Sequence, residues 1–377
     1  RRRKEHEAQG RRKTILKILK PFILFNRYSH FTRWLFRKSL VWFDTPDLYG
    51  DLFEKYQPDL VVSDTAAWRY DQYILRQASK AGIKTATVLI GWDNPSSQGL
   101  AGGFVDYINV WSEEHKREMA EGTDWPREKI HVGGMPLYDG YISKKWLIPR
   151  EEYFKIHGLD PNKKLVAFAT TALNITPNIH ILKEMAEIIA SGDLSEPTQL
   201  LIRMHPNHYK NQPNYRKEYQ ETIALAAKYT DVHVAEPKET PDGMERYSGE
   251  DFPEKTSMLA HCDVLATIYS TMVVEAAVHD TPFISVCINS EEGWGKDKFW
   301  VSLDEVPGWP TARRVNAMQA GKTVFTAEAL KKAIDDYVAD GTVDYEQRMT
   351  FAKSELTYLH GESTRKVSDF LLGLLTD

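Results

Sequence analysis

The sequence predicts an α/β protein of two Rossmann-like domains, each a parallel sheet with crossover helices, and three observations predict it. At 377 residues the chain exceeds the size at which a single hydrophobic core stops growing. Hydrophobic residues make up 42% of it and charged residues 27%, the proportions of a globular chain rather than a disordered or fibrous one. Short β-rich runs alternate with helical stretches in two successive series, which is how two parallel sheets read in sequence.

The chain starts with a basic segment. Residues 1–40 carry 13 Lys and Arg against two Glu, a charge of +11 in a chain whose total is −5, so the other 337 residues sum to −16. Between residues 13 and 40, Ile15, Leu16, Leu19, Phe22, Phe31, Trp34, Leu35 and Phe36 interleave with Lys and Arg, predicting one amphipathic helix, or two meeting at Pro21. Such a segment either rests on an anionic membrane surface or is a domain helix with a solvated basic face. The apolar run 15–25 is broken by Lys17, Lys20 and Pro21 and falls short of the roughly 20 residues a spanning helix needs. Peripheral contact with the inner face of a membrane is therefore the most that is expected. Cys262 and Cys287, the only cysteines, each read as part of a core strand or its flank, so no disulfide framework is expected and the cytoplasm is the expected compartment.

In the first series, strands are predicted at 59–63, 84–90, 107–111 and 129–132, with a helix at 70–81. This is two or three strands fewer than such a half usually has, and a truncated N-terminus would account for it, the chain opening on Arg1 without a secretory pattern. The polar stretch 141–161 reads as a linker, which divides the chain into an acceptor-side domain at 1–143 and a second domain at 144–345. In that second domain strands are predicted at 165–169, 199–204, 232–235, 264–268 and 283–287, with helices at 178–189, 215–229, 255–260 and 272–278. Helices at 327–338 and 345–375 close the chain, and the segment 346–377 is expected to pack back on the first domain.

Three places carry candidate chemistry. Strand 264–268 runs into Tyr269-Ser270-Thr271 and then a helix, so two hydroxyls stand at the carboxyl end of a strand, where open α/β sheets gather their ligands and where unpaired amides favour a phosphate. Glu275 follows one turn on, placed for a ribose diol; an ordinary N-cap would use the same Ser-Thr pair. Strand 199–204 ends in Arg203-Met204-His205-Pro206, putting His205 on the same edge, where an imidazole donates to a phosphate or offsets charge on a departing diphosphate. In the first series, Gly91-Trp92-Asp93-Asn94-Pro95-Ser96-Ser97-Gln98-Gly99 follows a strand. Asp93 there, or Asp64 after strand 59–63, is the candidate base for an acceptor hydroxyl, and an Asx-type turn is the plain alternative for the former. A metal and a dinucleotide are not expected, since no Walker A loop, GxGxxG, CxxC pair or HExxH occurs, and Pro206 breaks the spacing between His205 and His208. No nucleic-acid module is visible.

The motifs Gly91-Trp92-Asp93-Asn94-Pro95-Ser96-Ser97, Val132-Gly133-Gly134-Met135-Pro136-Leu137-Tyr138-Asp139, Arg203-Met204-His205-Pro206, Asp263-Val264 through Ser270-Thr271 to Glu275, and Gly361-Glu362-Ser363-Thr364-Arg365 lie within a stretch, residues 45–375, that carries a family resemblance. In their order and spacing the chain resembles the broad group of bacterial GT-B surface-polysaccharide enzymes, near the CDP-glycerol glycerophosphotransferase-like and UDP-N-acetylglucosamine 2-epimerase-like families. The resemblance implies a GT-B-like fold, two Rossmann-like domains facing across a cleft. It also implies that His205, Ser270 and Thr271 hold donor phosphates together with Arg203, that Glu275 holds the ribose, and that the acceptor enters from the N-terminal half. The expected activity is metal-independent transfer of a sugar from a UDP-, CDP-, CMP- or GDP-linked donor to a glycan or lipid-linked acceptor, with no tightly bound cofactor. A nucleotide-sugar 2-epimerase, a glycerophosphotransferase and a non-catalytic nucleotide-sugar-binding scaffold are the alternatives. Tyr269-Ser270-Thr271 stands where Asp-Tyr-Ser-Ser is common among the glycerophosphotransferases, which speaks against glycerol phosphate transfer.

Overall fold

The computed structural model of the chain describes residues 19–21, 25, 28–66, 69–97, 105–173, 175–205, 213–235, 251–290 and 302–376. The expectations that fell on Gln98, Gly99, Pro206 and His208, and on most of the basic segment before residue 28, lie outside these residues. By internal contacts the chain divides into two compact units. The first holds residues 1–136 with Ser354–Tyr358 and Glu362–Asp377, and the second holds Leu137–Lys353 with Leu359–Gly361. The division falls seven residues ahead of the boundary read from the sequence at 143/144.

In the first unit, α1 (His30–Phe43), α2 (Gly50–Tyr56), β1 (Leu60–Ser63), α3 (Arg69–Lys80), β2 (Lys84–Val88), α4 (Asn94–Ser97), β3 (Tyr107–Val110), α5 (Glu113–Thr123) and β4 (Ile130–Val132) follow one another. Among the described residues they make a four-stranded sheet in the order β1-β2-β3-β4, every pairing parallel. Leu75, Leu89, Val105, Ile108, Val110 and Ile130 fill its core. Helix α5 shows why a polar run with little apolar periodicity still folds: Ser112 caps it by accepting from His115 N–H, and Glu113 and Glu114 in the first turn complement its dipole.

Helix α6 (Pro136–Ile142) leads into the second unit. The stretch expected as a linker instead holds α7 (Arg150–His157), started at Pro149 and ended by Gly158 at φ 65°. Burial of Tyr153 and Phe154, with Glu254 accepting from Tyr153 Oη at 2.9 Å and pairing with His157 at 2.9 Å, ties it to the body of this unit. Then come β5 (Lys164–Ala169), α8 (Ile179–Ala190), β6 (Thr198–Arg203), α9 (Pro213–Ala226), β7 (Val232–Ala235), α10 (Asp251–His261), β8 (Val264–Thr267), α11 (Met272–Val278), β9 (Phe283–Val286), α12 (Pro310–Met318), β10 (Lys322–Val324), α13 (Ala327–Ala339), α14 (Tyr345–Leu356) and α15 (Ser363–Gly373). The closing helical stretch expected at 345–375 is thus two helices, and α15 belongs to the first unit. The six strands lie in the order β10-β9-β8-β5-β6-β7, all parallel. β6 and β8 are buried at every position, as strands covered by helices on both faces must be, which is why their centres, Leu200–Ile202 and Val264–Ala266, read as apolar runs. Cys262 and Cys287 are free and buried.

Candidate functional site at the sheet switch point

From β5 the chain of the second unit winds outward through β6 and β7, then returns to the other side of β5 and winds outward through β8, β9 and β10. The order reverses between β5 and β8, and the crevice beyond the carboxyl ends of the strands at such a point is where doubly wound sheets take their ligands. Three segments leave the sheet there: Thr170-Thr171 after β5, Met204-His205 after β6, and Ile268 to Thr271 after β8. They are tied together. Thr170 N–H donates to the Arg203 carbonyl at 3.0 Å, Thr170 Oγ1 accepts from the His205 N–H at 2.7 Å, and Thr267 Oγ1 donates to the Ala169 carbonyl at 3.1 Å. The half-buried His205 thus leaves β6 on a fixed path, beside the switch point.

Two helices open at this crevice, α8 with a carboxylate on its first amides and α11 with its first-turn amides closed locally by Ser270 and Thr271. At α8 the carboxylate of the fully buried Glu218 accepts from Asn178 N–H and, at 3.1 Å, from Ile179 N–H, so the amides a phosphate would use are already taken. Asn178 in turn holds the β5 loop, accepting from Thr171 N–H at 2.7 Å and donating to its carbonyl at 3.0 Å. At α11, Thr271 makes no side-chain cap, while Ser270 Oγ accepts from Met272 N–H at 3.2 Å. The turn into α11 passes through Tyr269 at φ 21°, a left-handed backbone conformation that is unfavourable for an aromatic residue. Tyr269 Oη holds it there, donating to Asn316 Oδ1 at 2.6 Å with Thr323 Oγ1 at the same distance. Ser270 and Thr271 are half-buried just beyond this pinned turn.

The other two residues expected to bind the donor are held in buried ion pairs. Arg203 Nη2 donates to both oxygens of Asp251, at 2.8 and 2.7 Å, joining β6 to the start of α10. Glu275 Oε1 accepts from Lys255 Nζ at 2.9 Å, while its Oε2 is buried and has no hydrogen-bond partner among the described residues. Lys255 lies over the ring of Tyr141 at 5.6 Å. Burial works against the Lys255 charge, but Glu275 outweighs it and holds the ammonium firmly protonated. Burial, with Glu275 nearby, pushes the Tyr141 phenol up to about 12. Thr170, Asn178, Glu218, Lys255 and Asp251 were not foreseen from the sequence. Asn178 and Lys255 carried a signal there only as the first residues of predicted helices.

In the first unit Asp93 is exposed, and its backbone carbonyl accepts from Ser96 and Ser97 N–H at 3.0 and 2.8 Å, making the turn that opens α4. Trp92 is buried and donates from Nε1 to Glu355 Oε2 at 2.6 Å, so of the two only Asp93 is open to solvent. Asp64 is exposed after β1. Its neighbour in charge is Asp71, in the first turn of α3, whose carboxyl is pushed up to about 6 by burial and then by Asp64. Asn109 on β3 fixes the glycine pair after β4, accepting from Gly133 N–H and donating to the Gly134 carbonyl, both at 3.0 Å. At Gly134, φ 82°, a Cβ would strike Ser363, at the start of α15. Gly134 thus leaves room for Ser363, while a Cβ at Gly133 would meet Asn109.

No protein-family model matches the chain, and no curated protein matches its sequence. Solved structures do match. The chain is similar to a UDP-GlcNAc 2-epimerase from Neisseria meningitidis bound to UDP-GlcNAc, with TM-score 0.58 and 14% identity over 89% of this chain and 80% of that one. It is similar to the wall teichoic acid polymerase TagF, with TM-score 0.50 and 14% identity over 80% and 70% of the two chains. It is also similar to a glycosyltransferase from Rickettsia africae, with TM-score 0.50 and 13% identity over 93% and 84%. The fold is of the GT-B kind that the sequence motifs implied.

Proposed function

We propose that the chain is a GT-B-type glycosyltransferase that moves a sugar from a nucleotide-activated donor to a surface-glycan or lipid-linked acceptor. The observation that carries this reading is the pinned Tyr269 turn at the switch point, which presents the half-buried Ser270 and Thr271 at the start of α11, with the backbone of His205 fixed by Thr170 across β5. In this proposal the hydroxyls of Ser270 and Thr271 take the donor's phosphates, and His205 donates to the oxygen on which charge builds as the glycosidic bond breaks. Glu275, with Oε1 committed to Lys255, receives a ribose hydroxyl on Oε2 once the side chains covering that atom give way. Arg203 supports the site through Asp251 and the path of β6. Asp93 and Asp64 are the candidate bases for the acceptor hydroxyl. The donor is UDP-, CDP-, CMP- or GDP-linked, and the acceptor decides the reaction.

The likeness to an epimerase bound to UDP-GlcNAc favours a second reading, a nucleotide-sugar 2-epimerase. Incubation of the protein with each nucleotide sugar, alone and with glycan acceptors, separates the two. Release of nucleotide that depends on acceptor supports transfer, interconversion of the donor alone supports epimerisation, and tight binding without either supports a scaffold.

A further inference from the structure

A helix on the outside of a water-exposed domain normally turns its apolar stripe inward and its charges outward. Helix α1 does the reverse. Its buried residues are Arg37 and Val41, and the side it turns to the first unit is the charged one. Arg33 Nη2 donates to Asp124 Oδ1 at 2.7 Å, Arg37 Nη1 donates to the Thr123 carbonyl at 2.5 Å, and the Arg37 guanidinium lies 5.1 Å over the ring of Trp125. Outward stand Phe31 (67% exposed), Trp34 (46%), Leu35 (51%) and Trp42 (65%), at the i, i+3, i+4, i+11 spacing of a single helical face. Lys38 lies within that face by the same spacing. Phe31 and Trp34 stack with centroids 6.0 Å apart.

A contiguous apolar face of this kind marks an interaction surface, and charge says with what. The first 40 residues, which include most of α1, carry +11 while the remaining chain carries −16, so the only strongly cationic part of the sequence is the part that bears the aromatic face. Aromatic rings that insert beside lysines suit the boundary between acyl chains and anionic headgroups. No helix among the described residues is long and apolar enough to cross a membrane, so the helix lies along the surface. We propose that α1 docks flat on an anionic lipid surface, with Phe31, Trp34, Leu35 and Trp42 inserted and Lys38 at the phosphates. Arg33 and Arg37 stay on Asp124 and Thr123 and hold the first unit to the opposite side of the helix. The surface does not depend on the donor site, and the proposal stands whichever reaction the chain performs.

The test is co-sedimentation of the full chain with phosphatidylcholine vesicles, with and without about 30 mol % phosphatidylglycerol, at low and high salt. The expected result is binding to the anionic vesicles that salt weakens, and at least about ten-fold loss in Trp34→Ser/Trp42→Ser at unchanged circular dichroism. Should that variant misfold, Lys38→Glu, on the same helical face, replaces it and loses several-fold. Equal binding to neutral vesicles, or undiminished binding by the variants, overturns the proposal. So does a wild type that ignores vesicles but self-associates through the same residues, since a second copy then covers the face.

Discussion

Removing Arg203 tests what the buried pair at the edge of the candidate site is for. Arg203 and Asp251 side chains are 4% and 2% exposed, and both carboxylate oxygens accept from one nitrogen at 2.8 and 2.7 Å. Arg203→Met leaves Asp251 as a buried charge without its partner at the start of α10, a defect that costs about 3–5 kcal/mol. Replacing both, as Arg203→Met/Asp251→Leu, removes the uncompensated charge, so the double variant recovers much of that loss and the two substitutions are strongly non-additive. Urea unfolding followed by circular dichroism gives the stabilities, and nucleotide titration of the double variant gives the function. A supporting role predicts a stable double variant whose nucleotide affinity falls no more than a few-fold. A single-variant cost below about 1 kcal/mol, or simple additivity, would refute the structural reasoning. A stable double variant that no longer binds any nucleotide bound by the wild type would show Arg203 to be a phosphate ligand in its own right.

Other consequences follow from the first unit. The Asp71 carboxyl, raised from 3.8 to about 6 by burial and Asp64, holds its proton longer in the folded state than in the unfolded one. Stability therefore falls as pH rises from about 4 to 6, and Asp71→Asn flattens that part of the stability–pH curve; parallel curves for the two proteins would contradict the assignment. Trp92→Phe keeps the packing but takes the indole N–H from Glu355, a buried hydrogen bond to a carboxylate, and costs about 1.5–3 kcal/mol in denaturant unfolding. An unaffected midpoint would mean that this contact is idle. The ion pair of Arg33 with Asp124 has the opposite pH signature to Asp71. Burial pushes the Asp124 carboxyl up, but hydrogen bonds from Arg33 and the nearby His30 outweigh it and hold the group below its usual value. The stability this pair contributes is present above the ordinary aspartate range and lost as pH falls through the depressed value, and Asp124→Asn abolishes that acid sensitivity.

The strands were legible because a parallel strand buried on both faces must be an apolar run, and runs such as Leu200 to Ile202 or Val264 to Ala266 have no other plausible use. The helices that went unread, α5 and α7 among them, are polar segments with only a few buried side chains, held by end signals at Ser112, Pro149 and Gly158 rather than by periodicity. At the candidate site, the residues after β6 and β8 could be placed on one edge from sequence, since strand followed by hydroxyl or imidazole is a local pattern. Their supports could not. Thr170 lies 35 residues from His205, Asp251 48 from Arg203 and Lys255 20 from Glu275, and nothing local links them. The same blindness hid the inverted burial of α1, because its sequence gives the two faces but not which of them meets Asp124.

The most direct test of the central claim is calorimetric titration with UDP, CDP, GDP and CMP, for the wild type, His205→Ala and Ser270→Ala/Thr271→Ala. A donor site at the switch point predicts that one nucleotide binds the wild type and that each variant, folded by circular dichroism, binds it at least about ten-fold more weakly, the loss of one to two charge-assisted hydrogen bonds. Unchanged affinity in both variants, or no nucleotide bound by a folded wild type, would contradict it.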